Sequence, residues 1–109
     1  MAAEIHVGDI GTEIRVQVTD EDGSVVDVSA AATRTLTLLP PGAAAVVVKT
    51  ATAGSIQDPS KTGVLGWMHY TTVADDLDTP GWWTVQAYVD LGSWQGHTAM
   101  EKFQVKATL

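Results

Sequence analysis

The run that follows Pro80-Gly81 leaves little choice of fold. In Trp82-Trp83-Thr84-Val85-Gln86-Ala87-Tyr88-Val89 the odd-numbered residues, Trp83, Val85, Ala87 and Val89, are apolar. The even-numbered residues, Trp82, Thr84, Gln86 and Tyr88, are polar or amphipathic. Side chains alternate across a strand, so this period of two predicts a β-strand with one face in a core and the other outside it. The acidic turn Asp75-Asp76-Leu77-Asp78-Thr79 launches that strand, with Leu77 expected to plug the end of the core. Trp83 becomes the largest expected core residue.

A second strand has the same grammar. In Thr12-Glu13-Ile14-Arg15-Val16-Gln17-Val18-Thr19 the residues Ile14, Val16 and Val18 share one face, and Glu13, Arg15 and Gln17 the other. Such alternation marks a half-buried strand of an antiparallel sheet. Ile5 and Val7 read as a short strand before it. Asp22-Gly23 signals a hairpin turn, and Val25 to Val28 reads as the returning strand. Ser29 to Ala32 fits one helical turn capped by Ser29. Thr33 to Leu39 is β-branched, with Leu36 and Leu38 inward, and Pro40-Pro41-Gly42 ends it. Ala45 to Thr52 forms the next strand, with Val46 and Val48, or Val47, inward; a continuous apolar run does not choose the face. After a polar loop from Ala53 to Lys61, Gly63 to Tyr70 is read as a strand with Val64, Met68 and Tyr70 inward and Trp67 partly exposed. Thr71 to Leu77 reads as a helical turn crossing between sheets. The last strand spans His97 to Lys106 with Phe103 and Val105 inward. A bulge near Glu101 is expected to keep that carboxylate out and put Met100 in the core.

Short strands punctuated roughly every 8–12 residues, with no helical periodicity and no repeat, predict an all-β fold. The expectation is one domain over residues 1–109, an immunoglobulin-like antiparallel β-sandwich of about seven or eight strands, with residues 1–4 a flexible arm. The chain has no cysteine, so no disulfide can staple it and no thiolate can hold a metal.

Charge narrows the partners. Thirteen acids against six bases give a net charge of −7, which disfavours binding of nucleic acid or of an anionic membrane surface. No signal peptide is read at Met1-Ala2-Ala3-Glu4, and the longest apolar run, Ala43 to Val48, is too short to span a bilayer. His6, His69 and His97 have no ligand spacing, so no metal is expected. Asp20-Glu21-Asp22-Gly23 lacks the later ligands of a calcium loop, and Asp75, Asp76 and Asp78 fit a turn that hydrogen-bonds its own backbone. Without a nucleophile elbow, a phosphate-cradling loop or a His-Glu-x-x-His motif, neither an enzyme nor a cofactor is expected. Aromatic residues carry the binding signal. Trp67, Trp82 and Trp94 are expected at least partly exposed, which suits protein interfaces or stacking on sugar rings.

The run from Val7 to Val16, with its Val7-Gly8-Asp9-Ile10-Gly11-Thr12, resembles the opening of small tailed-bacteriophage structural proteins, in particular the N-terminal immunoglobulin-like domain of the baseplate upper protein family. Asp22-Gly23-Ser24-Val25-Val26-Asp27-Val28-Ser29 and Leu36-Thr37-Leu38-Leu39-Pro40-Pro41-Gly42 continue the likeness. So does the segment Tyr70 to Trp83, with Gln86-Ala87 following in register. The resemblance implies a structural component of the virion, at the baseplate, tail, neck or capsid surface, assembled in the bacterial cytoplasm. Its implied partners are other virion proteins and copies of itself in a symmetric assembly. Trp67, Trp82, Tyr88, Trp94 and Ile5 are the expected contact residues. The competing expectation is a module on the same particle that binds glycans or the host surface.

Overall fold

Where polar and apolar residues alternate the chain is extended, and where glycine and proline cluster it turns. The structure, a computed structural model, describes residues 5–42, 45–98 and 100–108. These hold nine strands: β1 (Ile5–His6), β2 (Glu13–Gln17), β3 (Thr33–Leu39), β4 (Val47–Thr50), β5 (Thr52–Ala53), β6 (Trp67–Thr71), β7 (Gly81–Asp90), β8 (Gln95–His97) and β9 (Glu101–Lys106). The described residues contain no helix, so the fold is all-β as the turn spacing predicts. The expected arm at residues 1–4 lies outside the described residues.

Two sheets face each other. The larger runs β1-β9-β7-β3-β4, with β8 pairing β7 beyond the end of β9; the smaller runs β2-β6-β5. Pairing is antiparallel except between β1 and β9, where Ile5 and His6 lie parallel to Val105 and Lys106. The larger sheet is therefore mixed rather than wholly antiparallel. The chain passes from one sheet to the other between β4 and β5 at Ala51, which is buried and donates its N–H to the Arg34 carbonyl at 2.9 Å.

The core is the one the alternation predicts. Ile14, Val16 and Val18 meet Leu36, Leu38, Met68, Val85, Ala87, Val89 and Val105 between the sheets, with Leu77 and Val28 closing the ends. Trp83 is fully buried and stacks on Phe103 with ring centroids 6.0 Å apart. Its indole N–H donates to the Thr79 carbonyl at 2.9 Å, so its one polar atom is satisfied.

Several local expectations are corrected. Val46, Val47 and Val48 are all exposed, because β4 is an edge strand with no strand beyond it among the described residues. Val64 is exposed because residues 63–66 turn before β6 begins. Gly66 has φ +89° there, and a Cβ on it would come 2.7 Å from the Val18 carbonyl oxygen. The final strand does break, between β8 and β9, but Met100 stays outside. Thr98 fills the gap in its place: its N–H donates to the Ala87 carbonyl at 2.9 Å, and its Oγ1 accepts the Ala87 N–H at 3.0 Å. Val25 to Val28 contributes one bridge, Thr19 to Val25, and no strand. Residues 29–32 form no helical turn; instead Asp27 accepts from both the Ser29 N–H and hydroxyl, an Asx-type turn that Ser29 does not cap. Nor is there a helical turn at 71–77, where Asp75 takes φ 69° and Asp76 accepts the Val73 N–H at 2.8 Å.

Candidate interaction surface

The outer side of the larger sheet follows from strand parity. With Trp83, Val85, Ala87 and Val89 inward, β7 presents Trp82, Thr84, Gln86 and Tyr88 outward. Register then places Thr35 and Thr37 of β3 beside Tyr88 and Gln86, and Leu39 beside Thr84. Val48 and Thr50 of β4 flank Thr37 and Thr35. Lys102 and Gln104 of β9 lie beside Thr84 and Trp82, and His97 of β8 beside Tyr88. Among the described strand residues of this face the one carboxylate is Asp90, at its end, where Oδ1 accepts the Gly92 N–H at 2.8 Å. A chain carrying 13 acids has thus kept them off the centre of its widest sheet. Trp82 is 58% exposed in that acid-free field, and Tyr88 is half-buried against the His97 ring at 4.8 Å.

The outer side of the smaller sheet is covered instead. Residues 54–62 fold over Glu13, Arg15, Trp67 and His69. The Ser55 hydroxyl donates to Glu13, and the Ile56 N–H donates to the same carboxylate at 2.9 Å. Arg15 Nε lies 3.5 Å from it. Burial opposes the Glu13 charge, yet the bonds from Ser55, Ile56 and Gln57, with His69 nearby, hold its pKa below the ordinary value. His69 is buried with Nδ1 2.7 Å from the Gly54 carbonyl oxygen. The Ser55 hydroxyl donates to Glu13 and its oxygen accepts the Asp58 N–H at 3.0 Å, so the network clamps the loop onto the sheet. Lys61 seals the other end, with Nζ 5.0 Å from the Trp67 ring centroid and 2.8 Å from Asp58.

The five expected contact residues therefore fall in four places. Trp82 and Tyr88 share the open face. Trp67 is half-buried under Lys61 on the opposite sheet. Trp94 sits at the end of the sandwich, its ring against Gly96, beside a shallow cleft of ≈ 320 Å³ lined by Asp20, Glu21, Asp22, Val26 and Leu91. Ile5 is in β1, half-buried against the core.

The acid-rich turns are spoken for. Asp20 Oδ1 accepts the N–H groups of Asp22 and Ser24. Asp76 accepts the Tyr70 hydroxyl and pairs with Lys49 at 3.0 Å. Burial opposes its charge too, but Tyr70, Val73 and Lys49 hold the Asp76 pKa below the ordinary value. No three of His, Asp and Glu gather at a metal-holding geometry among the described residues.

What the reading of separate strands misses is collective. From Val28 to Gln57 the chain has no acidic residue, and the fold lays two strands of that stretch, β3 and β4, side by side in the larger sheet. The charge pattern shows the gap, but only the topology turns it into a surface. Compared with known proteins, the chain matches no family model and shows no significant similarity to any curated protein.

Proposed function

We propose that the chain is a non-catalytic interaction module, an immunoglobulin-like structural component of a tailed-phage particle. It acts through the outer face of its larger sheet. The observation that carries the interaction reading is that open face, free of acids except Asp90 at its end, with Trp82 exposed on it. Apolar and aromatic side chains free of charge are what the buried centre of a protein interface uses, and tryptophan is enriched there. The immunoglobulin-like part is supported by strand order: β2-β6-β5 faces β9-β7-β3-β4 as strands B-E-D face G-F-C-C′ in such domains. The phage part rests on the sequence resemblance of the Val7 to Ser29 and Tyr70 to Trp83 segments. Partners are other virion proteins and copies of this chain, and the net charge of −7 keeps free copies apart until they assemble.

The test is incorporation. Particles purified from cells carrying the gene should contain the chain by mass spectrometry, and Trp82→Ser should remove it while leaving the purified domain folded. A chain absent from particles, or equally abundant as W82S, overturns the reading. The cleft beside Trp94 favours a second reading, stacking on a sugar ring flanked by carboxylates. Quenching of tryptophan fluorescence by an oligosaccharide, lost in Trp94→Ser, would establish it; silence across a broad glycan set removes it.

A further inference from the structure

The edge formed by β4 has three properties that seldom occur together. First, its backbone is open. Ala51 N–H bonds to Arg34, so Arg34–Ala51 is a hydrogen-bonded pair. Antiparallel pairs alternate, so the N–H and C=O groups of Thr50 and Val48, which face Thr35 and Thr37, point away from β3. Second, the edge is apolar, with Val46, Val47 and Val48 all exposed. Third, its charge is neutralised. Edge strands are usually protected by a lysine that repels an incoming strand. Here the lysine, Lys49, is tied to Asp76 of its own chain at 3.0 Å.

We infer that β4 is the seam of a homodimer, two copies pairing their β4 strands antiparallel about a two-fold axis at Val48. The occupant is a second copy because the strand is complementary to itself. With Val48 opposite Val48, the outward backbone groups of Val46 meet those of Thr50 in the second copy. Lys49 then faces Val47 rather than another lysine. A register shifted two residues toward Thr50 would set Lys49 against Lys49, so charge disfavours that one. Electrostatics also direct the approach. Two molecules of net charge −7 repel, but β4 itself carries no acid, and Asp76, one of the aspartates beside it, is paired with Lys49. The union makes one continuous sheet and carries both copies of the Trp82 face on it, as strand addition at a sheet edge does.

This inference rests on the reading of the chain as an interaction module and names one of its partners. It is measured on the purified chain alone, so it fails separately from incorporation into particles. Sedimentation equilibrium should show a reversible dimer, and Val48→Lys, which sets two cations face to face while keeping the bonds to β3, should be monomeric where wild type is dimeric. Val48→Pro should act alike, because the Val48 N–H donates nothing to β3. The register is tested by crosslinking in a chain that has no cysteine of its own. In the dimer the Val48 Cα atoms lie about 5.5 Å apart, within the roughly 4.4–6.8 Å a disulfide spans. The two Thr50 Cα atoms are about 14 Å apart, four residue steps along the strand. Mild oxidation should therefore convert Val48→Cys to a covalent dimer and leave Thr50→Cys monomeric. A wild type that stays monomeric up to protein concentrations on the order of 1 mM, or equal crosslinking of both cysteine variants, overturns the proposal.

Discussion

The two sheets of this domain treat their outer faces in opposite ways. On the smaller sheet the outward row holds Glu13, Arg15, Trp67 and His69, and the chain folds its own 54–62 loop over them. On the larger sheet the outward row holds Thr35, Thr37, Thr84, Gln86 and Tyr88, all half-buried, around an exposed Trp82. The difference lies in what each row offers a loop. Glu13 can accept several backbone N–H groups and so organise residues 55–57 around one carboxylate. The row on the larger sheet makes single contacts instead, such as the Gln86 amide donating to the Thr98 carbonyl at 2.9 Å, and it is the face proposed to meet another molecule.

The comparison assumes one core beneath both faces, and the most damaging substitution attacks that core. Trp83→Ala should cost about 3–5 kcal/mol, a large part of the roughly 5–15 kcal/mol stability of a domain, and should be seen as a collapse of the urea midpoint. A midpoint left in place would mean that β7 is inverted and that Trp82 is the buried tryptophan. Next comes the anchor of the covered face. Glu13→Ala leaves the Ser55 hydroxyl and the N–H groups of Ile56 and Gln57 without their acceptor. It should cost about 1–3 kcal/mol and speed hydrogen exchange at Ile56 and Gln57. Exchange that is unchanged would show the loop held by other means.

Parity alone found the inward sets of β2, β3 and β7 and the outward Trp82, because an alternating strand declares its buried face. It could not find the burial of Glu13. That carboxylate has the outward parity of a solvent-facing residue, and what covers it comes from some 40 positions later in the chain. Val46, Val47 and Val48 were opaque for another reason. An uninterrupted apolar run has no parity, and the sequence pattern does not mark a sheet edge. The break before β9 was legible from Glu101. Its occupant was not, because Thr98 substitutes for a backbone pair through its hydroxyl, which a count of apolar residues does not register. The parallel pairing of β1 with β9 was invisible too, since two residues carry no pattern that tells one direction from the other.

Acid should separate the faces further. The Glu13 pKa is held below its ordinary 4.5 and that of Asp76 below 3.8. A carboxyl whose pKa is depressed by folding stabilises the native state above the unfolded value and loses that contribution as pH falls through the folded one. Stability should therefore be level above about pH 5 and decline below about pH 4.5. In Glu13→Gln the decline should begin lower, where the depressed aspartates Asp76, Asp27 and Asp58 titrate. If the wild-type and E13Q curves run parallel from pH 5 to pH 3, the covered face is not held by the Glu13 charge.

The smallest effect on stability should come from the open face, and the contrast with the covered one makes it informative. Trp82 and Trp67 are both outward-facing tryptophans. Trp67 lies under Lys61 and its loop, so Trp67→Ser should cost about 1–2 kcal/mol in lost burial and cation–π contact. Trp82 touches no such roof, and Trp82→Ser should stay within about 0.5 kcal/mol of wild type, as surface changes do. Urea titrations of the two variants, followed by circular dichroism, give the difference directly. Equal losses at both positions would mean that Trp82 is holding the fold rather than waiting for a partner. A stable W82S that no longer assembles would locate the cost in the proposed contact with the next molecule.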